Sequence, residues 1–319
     1  MRRSQGINHT AINFAHSAIL VGGMLLILGV SGFALAGGSG LVAAIILVAM
    51  SLVLAPRVPP RALLRMYGAV PLTPAVAPAL NGLMRELALR AGLPRVPQLY
   101  YVPSQVTNAF AVGSPEDAAI GVTDGLLRRL NLRELAGVLA HEVAHIRHND
   151  LWLMNFADVL SRVTGVLANV GQLLLLINLP LILLGEATIS WLAIGLLILA
   201  PLVNGLLQLA LSRSREFDAD RGAVALTGDA AGLAAALLKL EHYAAALLRQ
   251  VVVPGHGVPQ PSILRTHPPT HERILRLELL AEAQGRPFLL YPEADMALPA
   301  QFVPVVVRRP RYHVLGMWY

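Results

Sequence analysis

The sequence predicts a mostly helical α+β membrane protein: four transmembrane helices in two hairpins, joined to a cytoplasmic domain that contains a small sheet. Three observations carry this prediction. Hydrophobic residues make up 55% of the 319 positions, charged residues only 14% and aromatic residues 5%, which is more aliphatic content than one soluble core needs. One long stretch holds no Asp, Glu, Lys or Arg at all, and a second is broken only by Glu186. Outside them the pattern changes to amphipathic helical spacing and short β-like runs.

The first uncharged stretch lies between Arg3 and Arg57, long enough for two crossings of about 20 residues each. The run LAGGSG, Leu35 to Gly40, interrupts it and divides it into spans at Phe14 to Ala36 and Leu41 to Ala55. A cleaved signal peptide would also set Arg2 and Arg3 before an apolar run. This run is too long for one such region, and a second span follows at once, so an uncleaved anchor is expected. The second stretch covers Val163 to Gly185 and Ala187 to Ser212, with the polar turn GEATIS between. Pro180 and Pro201 fall inside these spans, which membrane helices tolerate when neighbours satisfy the freed backbone groups. Their length argues against buried core helices.

Charge sets the expected orientation. Arg2, Arg3, Arg57, Arg61 and Arg65 flank the first hairpin, Arg162, Arg213 and Arg215 flank the second, and both turns lack Lys and Arg. By the positive-inside tendency, both termini and the segments between the hairpins face the cytoplasm, and the expected location is the cell inner (plasma) membrane. The net charge of +6 belongs to these scattered arginines, which form no aromatic-rich basic groove, so nucleic acid is not expected as a partner. The absence of cysteine excludes disulfides and thiolate metal sites.

The expected organisation is a hairpin at 1–56, the first part of the soluble domain at 57–162, the second hairpin at 163–212, the second part at 213–285, and a tail of unassigned role at 286–319. In the first part, APALNGLMRELALRAGL (Ala77 to Leu93) has helical spacing and ends on Gly92 with Pro94 beyond. QLYYV, TNAFAVG and AAIGVT, starting at Gln98, Thr107 and Ala118, read as short strands separated by Pro and Ser. Asn131 followed by Glu134 resembles a capping box before an apolar-periodic run.

That run contains HEVAH, His141 to His145. On a helix, four residues' separation projects His141 and His145 from one face, close enough for both imidazoles to ligate one ion, with Glu142 beside them. Given ten histidines, random placement yields this pattern with a probability of roughly one percent, so a third ligand is needed to decide. SRSREFDADRGAVAL, Ser212 to Leu226, offers Glu216 and Asp220 on one helix face. Glu216 would complete a metal site, and Asp220 would accept from an imidazole N–H. A solvated helix whose acids pair with Arg213, Arg215 and Arg221 is the other reading, and spacing alone leaves the two level.

HEVAHIRHND, SRSREFDADRGA, TNAFAVG and THPPTHERILRL, in this set and with the two hydrophobic hairpins, resemble the HtpX-type membrane zinc metallopeptidases, relatives of the CAAX prenyl endopeptidases, over roughly Ile12 to Leu280. The resemblance implies a zincin-like domain in which His141, His145 and Glu216 hold one zinc ion per chain and Asp220 supports them. It also implies an ATP-independent quality-control endopeptidase that cleaves misfolded or membrane proteins at the cytoplasmic face. Asn108, Ala109 and Phe110 match a sheet edge where an extended substrate adds through main-chain hydrogen bonds; the Phe110 side chain itself reads as core. His267 is placed as a donor to the developing oxyanion, and Arg273 as a residue that orients it or binds carbonyl oxygen. Where the family commonly has an acidic residue, this chain has His271, read as a surface residue at a helix start.

The expected mechanism has Glu142 deprotonate the water that attacks a metal-polarised peptide carbonyl and then hand the proton to the leaving amine. No Ser or Cys nucleophile is needed. A prenyl-protein endopeptidase would share every motif, but that class resembles a chamber of seven crossings. A non-catalytic scaffold would need neither Glu142 nor the acid pair, and a transporter usually carries ionisable groups within its spans. The expected partners are polypeptide substrates and the lipid bilayer.

Overall fold

The computed structural model describes residues 2–54, 59–185, 191–251 and 269–283. The expected site residue His267, the proline-rich loop at 254–261 and the tail at 286–319 lie outside the described residues. The chain divides into two compact units, Met1–Arg57 with Trp152–Ser214, and Val58–Leu151 with Arg215–Tyr319.

The first unit is almost entirely helical over its described residues. It holds α1 (Arg2–Leu54), most of α6 (Asp150–Leu183) and the first part of α7 (Trp191–Thr227). Among the described residues, three helices, over Ile12–Leu54, Asp150–Leu183 and Ala193–Thr227, are long and apolar enough to cross a membrane. Met24, Leu28, Ala44, Leu160 and Leu211 are buried between them, while Leu26, Ile45, Leu176 and Ile198 stay exposed, a distribution suited to an apolar solvent. Helix α1 breaks at Ala36 (φ −148°, ψ 30°) and Gly37 (φ +57°, ψ −138°); the second conformation is open to glycine and disfavoured for other residues. Across the break, a methyl group built on Gly32 would lie 2.7 Å from the Gly40 carbonyl oxygen, whereas residues eight apart in a straight helix are about 12 Å apart. Polar groups inside this unit pair with one another: Asn204 donates to Thr164 at 2.9 Å and Ser161 to Gln208 at 2.6 Å.

The second unit carries a four-stranded sheet of order β1-β2-β4-β3, from β1 (Val70–Pro71), β2 (Gln98–Val102), β3 (Ala109–Val112) and β4 (Ala119–Thr123). Strands β2 and β4 are parallel, and the outer strands pair antiparallel to them. Period-two alternation sends Leu99, Tyr101, Ile120 and Val122 to one face, where α3 (Pro78–Ala91) and α5 (Leu132–His148) cover them with Met84, Leu87, Leu135 and Leu139. Tyr100, Val102 and Ala119 go to the other face, against Leu64 and Tyr67, at and just after α2 (Pro60–Met66). Phe110 packs there as well, edge-on to Tyr67 with 5.8 Å between ring centres, in keeping with its reading as core. A short α4 (Asp124–Arg129) follows β4.

The capping box expected at Asn131 and Glu134 is present: Asn131 Oδ1 accepts from the Glu134 N–H at 2.9 Å, and Glu134 Oε2 from the Asn131 N–H at 3.0 Å. Helix α5 ends at Asn149, which is left-handed at φ +55°, a conformation Asn tolerates better than most residues. That turn starts α6 at Asp150. Helix α7 reaches α5 through Gly222, where a Cβ would stand 2.7 Å from that of Ala144. Helices α8 (Ala230–Val251) and α9 (Thr270–Ala283) complete the unit, with Leu277 and Ala281 of α9 in the core.

Candidate metal centre

On α5, His141 and His145 face the same side, and their Nε2 atoms are 3.1 Å apart. The close approach at Gly222 brings Glu216 of α7 against them: its carboxylate oxygens lie 3.4 Å from His141 Nε2 and 3.7 Å from His145 Nε2. The three ligand atoms all fall within 4.8 Å of one another, so this group could hold a metal ion. Two imidazoles and one carboxylate form a donor set suited to a divalent transition ion.

Acids hold the far side of each ring. Asp220 Oδ1 is 3.0 Å from His141 Nδ1, and Asp150 Oδ2 is 2.9 Å from His145 Nδ1. An imidazole whose Nδ1–H meets a carboxylate leaves its Nε2 lone pair for a metal. Asp220 is in turn gripped by the buried Arg273 of α9, whose Nε and Nη2 donate at 2.8 and 2.6 Å, while Arg273 Nη1 lies 3.2 Å from Glu216. Burial alone would lower the His141 pKa, but the hydrogen bonds to Asp220 and Glu216 outweigh it and push the value up to about 10. A proton and a cation exclude one another at His141 Nε2, so metal binding there releases protons.

Glu142 is turned aside from the three donors and half-buried. Its Oε2 accepts the Ala111 N–H at 2.9 Å, which ties it to β3, an edge strand of the sheet. Asn108, just before β3, is fixed to Thr123 by reciprocal bonds of 3.0 and 2.8 Å. His271 is exposed, as read from the sequence. Asp150, the last residue of HEVAHIRHND, has no role assigned from the sequence, and Arg215 is placed there only as a partner for the acids of its own helix. The available signal was an Asn-Asp pair directly after the histidine helix, where a left-handed turn returns the chain toward His145.

An H-E-x-x-H helix joined by a carboxylate from a second helix, beside an open sheet edge, defines the class of metal-dependent peptidases. The chain belongs to peptidase family M48, whose family model matches residues 74–281. It is 35% identical to a protease HtpX homolog of Burkholderia ambifaria over 289 residues, 84% of this chain and 97% of that relative. It is 38% identical to a protease HtpX homolog of Burkholderia cenocepacia over 238 residues, 68% of this chain and 79% of the relative. Among solved structures it resembles S. mikatae Ste24p, with a TM-score of 0.42 and 18% identity over 84% of this chain and 65% of that one.

Proposed function

We propose that this metallopeptidase of the membrane holds one zinc ion on His141, His145 and Glu216 and cleaves unfolded or membrane polypeptides at the cytoplasmic face of the inner membrane, as a quality-control endopeptidase. The observation that carries the reading is the convergence of those three donors. Zinc bonds of about 2.0 to 2.1 Å in tetrahedral geometry set neighbouring donors about 3.4 Å apart; the separations of 3.1, 3.4 and 3.7 Å bracket that value.

Zinc bound there supplies Lewis acidity, which polarises a peptide carbonyl and makes water nucleophilic at neutral pH. Glu142 takes the proton of the attacking water on its carboxylate and returns it to the leaving amine. The Ala111 N–H holds that carboxylate in place. In the antiparallel register, Asn108 and Phe110 turn their main-chain groups to β4, while Ala109 and Ala111 turn theirs to the outer edge. There Glu142 takes the Ala111 N–H and leaves the Ala109 groups and the Ala111 carbonyl for a substrate. An extended substrate adds there as a further strand, which presents a carbonyl beside Glu142. Arg273 holds Asp220, and through it His141. A role for His267 toward the oxyanion rests on the family resemblance.

Four crossings in two hairpins are part of the same proposal. The break at Ala36 and Gly37 and the approach of Gly32 to Gly40 support a chain reversal inside α1, and the arginine distribution supports cytoplasmic termini. The cysteine-free sequence permits a direct check. In sealed cells an impermeant maleimide is expected to label Ser39→Cys and to reach Ser114→Cys only after the membrane is opened. Outside labelling of Ser114→Cys reverses the orientation.

The activity test uses the purified full-length protein in detergent with casein as substrate. Cleavage is expected, together with its loss on chelation and its return on adding zinc. Casein cleavage indifferent to the chelator would overturn the metal mechanism.

A further inference from the structure

We infer that Asp150, held by Arg215, is a positioning residue for the metal ligand His145, forming a second His–Asp–Arg relay that mirrors His141–Asp220–Arg273. The inference rests on reading His145 as a metal ligand, and it gives a role to two residues that lie within HEVAHIRHND and SRSREFDADRGA but are assigned none by those motifs.

The geometry is built from three helices, with His145 on α5, Asp150 on α6 and Arg215 on α7. Asp150 Oδ2 lies 2.9 Å from His145 Nδ1, and Asp150 Oδ1 lies 3.3 Å from Arg215 Nη1. Arg215 Nη2 donates to Asp218, and Asp218 Oδ1 lies 3.4 Å from Arg221. Asp150, Arg215 and Asp218 are all buried, where ions persist only as paired and hydrogen-bonded groups. A neutral imidazole has one N–H and one lone pair. With a carboxylate at Nδ1, the proton resides there and the lone pair points from Nε2 toward His141 and Glu216.

Chain connectivity explains how the relay is aimed. Left-handed Asn149 turns the backbone so that Asp150, the first residue of α6, reaches back one turn to His145. Arg215 immediately precedes Glu216 on α7, so the helical turn that delivers the third ligand also delivers the guanidinium that braces the second. The fork of Arg215 spans two carboxylates at once, which the point charge of lysine does not reproduce.

The test is zinc affinity of the detergent-solubilised full-length protein, measured by competition with a chromophoric chelator. Asp150→Ala is expected to weaken zinc binding about 10- to 100-fold. Asp150→Asn keeps an oxygen that accepts from Nδ1–H but lacks the charge, so a smaller loss of about 3- to 10-fold is expected. If Asp150→Ala does not fold, the near-isosteric Asn variant carries the test. Arg215→Lys should fall between wild type and Asp150→Ala. Nitrogen-15 spectra of His145 should show the proton on Nδ1 in the wild type and a mixture of tautomers in Asp150→Ala. A structural control is Asp124→Asn, a buried acid held by Tyr101 and Arg128, which should leave zinc affinity unchanged. Wild-type zinc affinity in both Asp150 variants, or an equal loss in Asp124→Asn, overturns the inference. If His145→Ala keeps wild-type zinc affinity, the ligand assignment itself fails, an outcome distinct from failure of the relay alone.

Discussion

Glu142→Gln is expected to bind zinc as the wild type does and to lose proteolysis. The amide is nearly isosteric with the carboxylate, and its oxygen can still accept the Ala111 N–H that Glu142 accepts at 2.9 Å. The donors His141, His145 and Glu216 are untouched, so metal content and fold should hold. What disappears is a group that takes a proton from water. General base catalysis is typically worth about 100- to 10,000-fold, and the same carboxylate protonates the leaving amine, so the rate should fall at least that far. Substrate affinity should change little, because the open edge of β3 is intact. Casein cleavage by the zinc-loaded variant at the wild-type rate would mean that another base acts or that a contaminant cleaves.

The part of this site that lies within one helix was legible in the sequence. His141, Glu142 and His145 share a helix whose start the Asn131 and Glu134 pair announces, and both the helix and its cap are present. Strands β2, β3 and β4 follow from apolar runs between Pro and Ser punctuation, but β1 is two residues long and ends in Pro71, too short for any periodicity. The pairing of Arg273 with Asp220 joins residues far apart in sequence, and a lone arginine carries no sign of its partner. Asp150 was hidden for a different reason. Its approach to His145 depends on one left-handed residue, Asn149; the Asn-Asp pair marks a helix end there but not which side chain the next helix will bring back. The break in α1 is similar: LAGGSG marked an interruption, yet helical geometry runs through most of it and fails only at Ala36 and Gly37.

Buried charge is concentrated in the second unit around the candidate metal centre. Two acids face the Nδ1 atoms of the imidazoles, and each is met by an arginine from another part of the chain, Arg273 for Asp220 and Arg215 for Asp150. Removing one member of such a set leaves a partner charged and buried, at a cost of about 3 to 5 kcal/mol. Stability and metal affinity are therefore coupled here, and variants should be chosen to conserve shape.

That coupling shapes the comparison of Glu216 with Asp220. Glu216→Gln and Glu216→Ala both remove an anionic donor from a set of three, and two imidazoles alone are a weak site for zinc. After dialysis the Glu216 variants should hold almost no zinc. Asp220→Asn should behave differently. Its oxygen can still accept from His141 Nδ1, which Asp220 faces at 3.0 Å, and the three donors remain, so zinc should be retained with an affinity about 10- to 100-fold weaker. Arg273 gives the contrast a second readout. In Asp220→Asn the guanidinium loses the carboxylate it grips with two nitrogens and keeps only Glu216 at 3.2 Å, so this variant should be less stable to heat than either Glu216 variant when zinc is absent, although it holds metal better. Full zinc occupancy in Glu216→Ala would remove Glu216 from the coordination sphere and require the third ligand to be found elsewhere.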